Sequence, residues 1–195
     1  MYGDEYSVNQ YYRGNTSRKL FCISILLTMF LCAKAFAKSK DLEEAGDILQ
    51  WGIPVTAGII SSVKLDGEGL VQLGEGAMWT AISTHFLKVS LNAQRPNGQD
   101  FSMPSSHTSA AAQGAAYLQF RYGWKYGVPA YLLTGLVAYS RVDNDYHYWR
   151  DVIIGAALGT AIQYSVTLGG FSVTNLAIAP YFDGDSVGLY ASMNF

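Results

Sequence analysis

Three short polar segments interrupt an otherwise apolar chain, and their residue types and spacing suit the handling of an anion. The first is Lys88-Val-Ser-Leu-Asn-Ala-Gln-Arg95-Pro96. Lys88 and Arg95 are seven positions apart, two turns of helix, so the spacing predicts that both project from one face. Pro96 helps to end that helix. A planar guanidinium and a movable ammonium aimed at one point suit an anion with several oxygens, although a solvated helix face accounts for the pair equally well. The second segment, Phe101-Ser-Met-Pro104-Ser105-Ser106-His107-Thr108, precedes an Ala-rich run. Its hydroxyls predict a capped helix start, whose free N–H groups form an anion site beside His107. Taken alone, His107 reads as a surface residue. The third is Ser140-Arg141-Val-Asp-Asn-Asp-Tyr-His147-Tyr-Trp-Arg-Asp151. His147 and Asp151 are four apart, so on a helix the carboxylate reaches one imidazole nitrogen and leaves the other free as nucleophile or base. A structural His–Asp pair is the competing explanation.

Taken together, Lys88-x6-Arg95-Pro96, Pro104-Ser105-Ser106-His107 and Ser140-Arg141-x5-His147-x3-Asp151 resemble the type 2 phosphatidic acid phosphatase (PAP2) family, shared with bacterial acid phosphatases and vanadium haloperoxidases. The order matches, every charged and His position is present, and the likeness spans residues 88–151. One departure is Ser106, where the family usually has Gly; Ser keeps the N–H donor but adds a side chain. The resemblance implies a helical bundle and phosphoryl transfer without a metal or other cofactor, through a phosphohistidine. In that scheme His147 attacks phosphorus and Asp151 orients it. His107 protonates the leaving oxygen and then activates water. Lys88, Arg95, Arg141 and the N–H groups near Ser105 and Ser106 bind the phosphate.

Elements must bring these segments together. Helices are expected over Asp41–Val63 (interrupted by Gly52 and Pro54), 69–94, 105–122, 126–142 and 151–168. The second carries Leu70, Leu73, Ala77, Ile82, Phe86 and Leu87 at helical intervals. No run reaches eighteen uninterrupted apolar residues, so periodicity fits buried helices of a soluble bundle or short membrane-embedded ones. From Phe171 the pattern changes: two strands, 171–182 and 186–195, flank Asp183-Gly184-Asp185. The terminal Phe195 is reminiscent of outer-membrane barrel strands, but two strands cannot close a barrel. A C-terminal hairpin over 171–195, packed on the bundle or paired with another copy, is the expectation. The overall fold class is therefore mainly α.

At the other end, Arg13, Arg18 and Lys19 precede the apolar run Leu20–Cys32, and Ala35-Phe36-Ala37 follows it. This predicts a signal peptide over residues 1–37, with an N-terminal anchor as the alternative. Thirteen apolar residues fall short of the roughly twenty that span a bilayer. Both cysteines, Cys22 and Cys32, lie in this segment. The remaining chain has no thiol for a disulfide or a metal, and three His without Cys give little support to a dedicated zinc cage. His85, one turn before Lys88, reads as a packing or surface residue.

Composition bounds the function. The 195 residues are 50% apolar and only 14% charged, with net charge −2. That excludes a disordered tail and argues against nucleic-acid binding. It fits an apolar helical body around a concentrated polar site, with membrane association. The leading expectation is an envelope phosphatase, periplasmic or at the periplasmic face of a membrane. Its substrate is a lipid-linked phosphate or diphosphate of the undecaprenyl diphosphate, phosphatidylglycerophosphate or lipid A type. The alternatives are a soluble periplasmic acid phosphatase of broad specificity, a vanadate haloperoxidase, and a non-enzymatic envelope interaction protein with a two-strand tail and a decayed site; the hairpin is also the expected surface for a homo-oligomer.

Overall fold

The structure, a computed structural model, describes residues 39–183 and 186–193. The predicted signal segment and both cysteines lie outside the described residues. Contacts divide the chain into Met1–Leu42 and a compact unit from Glu43 to Phe195.

Five helices follow in order: α1 (Ser39–Val63), α2 (Gly67–Leu91), α3 (Ser106–Tyr122), α4 (Trp124–Asp143) and α5 (Trp149–Thr167). A 3-10 turn, Val173–Asn175, leads into strands β1 (Leu176–Asp183) and β2 (Ser186–Met193). The mainly helical class is as expected. Pro54 does not interrupt α1. There Gly114 of α3 lies so close that an added Cβ would sit 2.8 Å from the Pro54 nitrogen.

Local chemistry sets the ends. The Asp66 carboxylate accepts from the Gly69 N–H at 2.9 Å to open α2. Asn92, in the left-handed region at φ 41°, closes it. Gly123, at φ 85°, turns the chain between α3 and α4. The Asp151 side chain accepts from the Tyr148 N–H at 2.9 Å to start α5.

Helix α3 is the axis of the bundle. Ala111, Ala112, Ala115 and Ala116 are fully buried, and α3 packs on α2, α4 and α5. Gly155 and Gly159 of α5 make the closest approach: a Cβ on Gly155 would lie 2.7 Å from the Ser105 carbonyl. The interior is polar as well as apolar. Gln113 Nε2 donates to Gln163 Oε1 at 2.7 Å, Gln163 Nε2 to Thr167 Oγ1 at 2.8 Å, and Thr84 pairs with Ser109 at 3.0 Å.

Most large apolar side chains of α2, Leu73 apart, point the other way. Its buried positions are Gly69, Gln72, Leu73, Gly76, Thr80 and Thr84, whereas Leu70, Ile82 and Phe86 are exposed. The apolar interval read in the sequence thus marks mainly the outer face, because small and hydroxylated residues allow closer helix contact. Trp51, Ile59, Trp79, Val128, Leu132 and Ile153 are likewise exposed on the other helices and on α2. Among the described residues, no helix is long and apolar enough to cross a membrane.

The hairpin forms as an antiparallel pair with Leu176 opposite Met193 and Asp183 opposite Ser186. Residues 171–175, expected in the first strand, instead make a bend and the 3-10 turn. Glu75 of α2 fixes that turn, accepting from Ser172 Oγ at 2.6 Å and from the Val173 N–H at 2.9 Å.

Candidate active site

The three polar segments converge at one end of the bundle, around a cavity of about 330 Å³. Lys88, Arg95 and Arg141 line it together with His107, His147 and Ser106. Glu43, Asp47 and Tyr146 complete the wall. Ser105 and Asp151 are not part of the lining; both are fully buried behind it.

Lys88 and Arg95 reach the cavity by different routes. The sequence expectation was one helix carrying both, ended by Pro96. Helix α2 instead stops at Leu91, because Asn92 adopts the left-handed cap, and Arg95 comes from the following loop. Backbone bonds shape that loop: Arg95 N–H to Gln99 O at 2.6 Å, Ser102 N–H to Ala93 O at 2.7 Å, and Asn97 N–H to Asp145 O at 3.2 Å. Lys88 Nζ donates to the Phe101 carbonyl at 2.7 Å. Burial and the neighbouring Arg95 hold the Lys88 pKa down at about 8.

The second segment starts α3 as expected. Ser105 caps it, its hydroxyl accepting from Thr108 Oγ1 at 3.1 Å. The N–H of Ser105 itself donates to the Asp151 carbonyl at 3.0 Å, so it is not among the free N–H groups expected near Ser105 and Ser106. Ser106 is exposed at the cavity, and first-turn N–H groups there have no acceptor within the helix. His107 Nε2 donates to Asp47 Oδ1 at 3.1 Å. Burial and Arg141 lower the His107 pKa, against the pull of Asp47.

Arg141, near the end of α4 and 3% exposed, is held on several sides. Its Nε donates to Ser140 Oγ at 3.1 Å, Nη1 to Asp47 Oδ1 at 2.8 Å, and Nη2 to the Glu43 carbonyl at 2.8 Å. The Tyr146 ring lies 5.5 Å from the guanidinium, and its hydroxyl donates to Glu43 Oε1 at 2.8 Å. Gly46 makes room for this arrangement, since a Cβ there would sit 2.8 Å from Arg141 Nη2.

The His147–Asp151 contact differs from the sequence reading. Asp151 Oδ2 lies 3.8 Å from His147 Nδ1, beyond hydrogen-bond range. His147 precedes α5 rather than lying on it, so the four-residue helical spacing does not apply. The carboxylate is taken up by Ser102 Oγ at 2.5 Å and the Tyr148 N–H at 2.9 Å. Asp151 therefore ties the 102–105 segment to the start of α5, from its side chain and from its carbonyl. His147 Nδ1 is buried without a hydrogen-bond partner, and the residue lines the cavity. Burial, Lys88 and Arg95 bring the His147 pKa down to about 4, against the pull of Asp151 and the Ser102 backbone. The ring is thus neutral at ordinary pH and competent as a nucleophile.

Glu43, Asp47, Ser102 and Tyr146 were not singled out from the sequence. Ser102 and Tyr146 lie inside the segments already read as polar. Glu43 and Asp47, four apart on α1, carry a spacing signal that also fits acids complementing a helix N-terminus. His85 is exposed and outside the cavity. Among the described residues, no group of three or more His, Cys, Asp or Glu is placed to hold a metal.

The sequence model of the PAP2 superfamily matches residues 69–172. The lipid A 4'-phosphatase of Helicobacter pylori is 30% identical over 138 residues, covering 65% of this chain and 69% of that protein. The lipid A 1-phosphatase of Helicobacter pylori is 30% identical over 109 residues, covering 51% of this chain and 57% of that one. In fold, the chain is similar to the crystal structure of Aquifex aeolicus LpxE. The TM-score is 0.59 at 18% identity, over 72% of this chain and 93% of the other. With its helical bundle, its convergent cations and histidines, and a family match over more than half its length, the chain belongs to the PAP2 superfamily and is a phosphatase of that type.

Proposed function

We propose that this protein hydrolyses a phosphate ester carried on a lipid, without a metal, through a phosphohistidine. The observation that carries the reading is the convergence of Lys88, Arg95 and Arg141 on one cavity with two histidines. Three cations can neutralise the non-bridging oxygens of a phosphoryl group as its charge redistributes, which is most of what phosphoryl transfer requires. In the first step His147 Nε2 forms a bond to phosphorus while the ester P–O bond breaks, and His107 gives the leaving oxygen a proton. In the second step water attacks the phosphohistidine, His107 takes the water proton, and the N–P bond breaks to release phosphate. Asp151 acts from behind, by fixing the loop and helix start that flank His147.

The lipid character of the substrate is supported by two observations. Relatives 30% identical are named lipid A phosphatases. Large apolar side chains also cover the outside of the helices beside the site, Phe86 and Val89 on either side of Lys88 being 68% and 56% exposed. Such a surface suits contact with acyl chains. The protein acts, on this reading, at an envelope membrane.

The deciding experiment is phosphate release from lipid A, phosphatidylglycerophosphate, undecaprenyl diphosphate and para-nitrophenyl phosphate, each with and without EDTA. Turnover of a lipid phosphate in EDTA, lost in His147→Ala, is the expected result. Complete loss on chelation overturns the metal-free step. Turnover of para-nitrophenyl phosphate alone overturns the lipid assignment.

A further inference from the structure

We propose that Asp47 is a positioning residue for the phosphatase reaction, one carboxylate oxygen holding both the proton-transferring His107 and the phosphate-binding Arg141. The inference rests on the phosphatase reading and adds to it a residue outside the three polar segments and outside the family match, which begins at residue 69.

The geometry is specific. Asp47 Oδ1 accepts from His107 Nε2 at 3.1 Å and from Arg141 Nη1 at 2.8 Å. A carboxylate only accepts hydrogen bonds, so it fixes the His107 tautomer with the proton on Nε2 and leaves Nδ1 to exchange a proton with substrate or water. The same oxygen works with the Glu43 carbonyl and Ser140 Oγ to pin the Arg141 fork, leaving its remaining N–H groups for an anion. His107 must carry a second proton to act as an acid, yet most of its neighbours oppose that. Arg141 from α4 and Lys88 from α2 both disfavour the charged ring. Arg95 and His147 share the cavity with it, while Glu43 and Tyr146 lie across the wall, bonded to each other. Asp47 is the carboxylate in direct contact with the ring, so it opposes the cations at the point where the proton must be kept. Burial and the cations already hold the His107 pKa below its ordinary value. Loss of the Asp47 charge lowers it further.

The test compares wild type, Asp47→Asn and Asp47→Glu, each as the full chain. Histidine imidazole titrations are read by NMR, and kcat/KM against pH is measured with para-nitrophenyl phosphate. The chain has three histidines, so variants at His85, His107 and His147 assign the signals. In Asp47→Asn the His107 titration and the basic limb of kcat/KM should both move to lower pH. The loss should be about tenfold at pH 7 and much smaller at pH 5. Asp47→Glu should restore the limb. Inorganic vanadate should inhibit Asp47→Asn more weakly than wild type, because Arg141 is no longer pinned. An unmoved His107 titration, or an equal loss at every pH, overturns the proposal. A wild-type chain that releases no phosphate overturns the phosphatase reading instead, and the titration then decides the Asp47 assignment alone.

Discussion

With Nδ1 buried and a pKa held near 4, His147 on the proposed mechanism enters the reaction already deprotonated, whereas His107 has to be protonated at the same moment. The two requirements have opposite signs in pH. Rate should rise through about pH 4 as His147 loses its proton. As pH rises further it should fall again, with a midpoint below the ordinary imidazole value of 6.5, as His107 loses its own. The kcat/KM profile of a soluble phosphomonoester checks this; a plateau extending from pH 5 to pH 8 contradicts it. Lys88→Ala removes a cation from the cavity wall and should lower kcat by about 10²- to 10³-fold, read in the same assay. At this scale the sequence was informative about which side chains meet and less so about how. Lys88, Arg95, Ser106, His107, Arg141 and His147 all line one cavity. Arg95 arrives from a loop because Asn92 ends the helix early, and residue spacing does not report where a left-handed cap falls. For Asp151, the same four-residue interval fitted a hydrogen bond to His147 and the helix-start role it has.

Between elements, the fit depends on positions where no side chain can be added. Gly159 of α5 lies against the Ser109 carbonyl and the Gln113 nitrogen of α3, the latter 3.0 Å from where a Cβ would stand. Both are backbone atoms of a packed helix and cannot move aside cheaply. Gly159→Ala should therefore cost about 1–3 kcal/mol of stability, measured by thermal or denaturant unfolding. Gly46 is different, since its neighbours are the Ser140 and Arg141 side chains. Gly46→Ala should disturb the guanidinium more than the fold, raising KM for a phosphomonoester with a smaller change in melting temperature. The helices themselves were readable from composition and caps. Their seams were not, because a glycine in a helix is a packing contact only once its partner is known.

Across the whole bundle, as far as the described residues show it, an apolar core coexists with buried amides and with large apolar side chains on the outside. Gln72, Gln113 and Gln163 are buried, while Trp79, Ile82 and Phe86 face out. An apolar periodicity marks a face without saying which way it points, so the sequence left a buried and a membrane-facing reading open. The outward apolar face beside Lys88 gives the substrate reading a direct test. Replacing Phe86 and Val89 together with Lys should depress turnover of a lipid phosphate in vesicles about tenfold or more. Turnover of para-nitrophenyl phosphate should be retained to within a few-fold, because neither residue lines the cavity.

The acidic wall of the site has a practical consequence for anyone shortening the chain. Glu43 and Asp47 reach Tyr146 and Arg141 across separations of 103 and 94 residues. They also lie more than twenty positions before the matched stretch begins. A fragment trimmed to residues 69–172 would keep every residue of the three motifs and still lose the floor on which Arg141 rests. It would look complete by alignment and be open on one side.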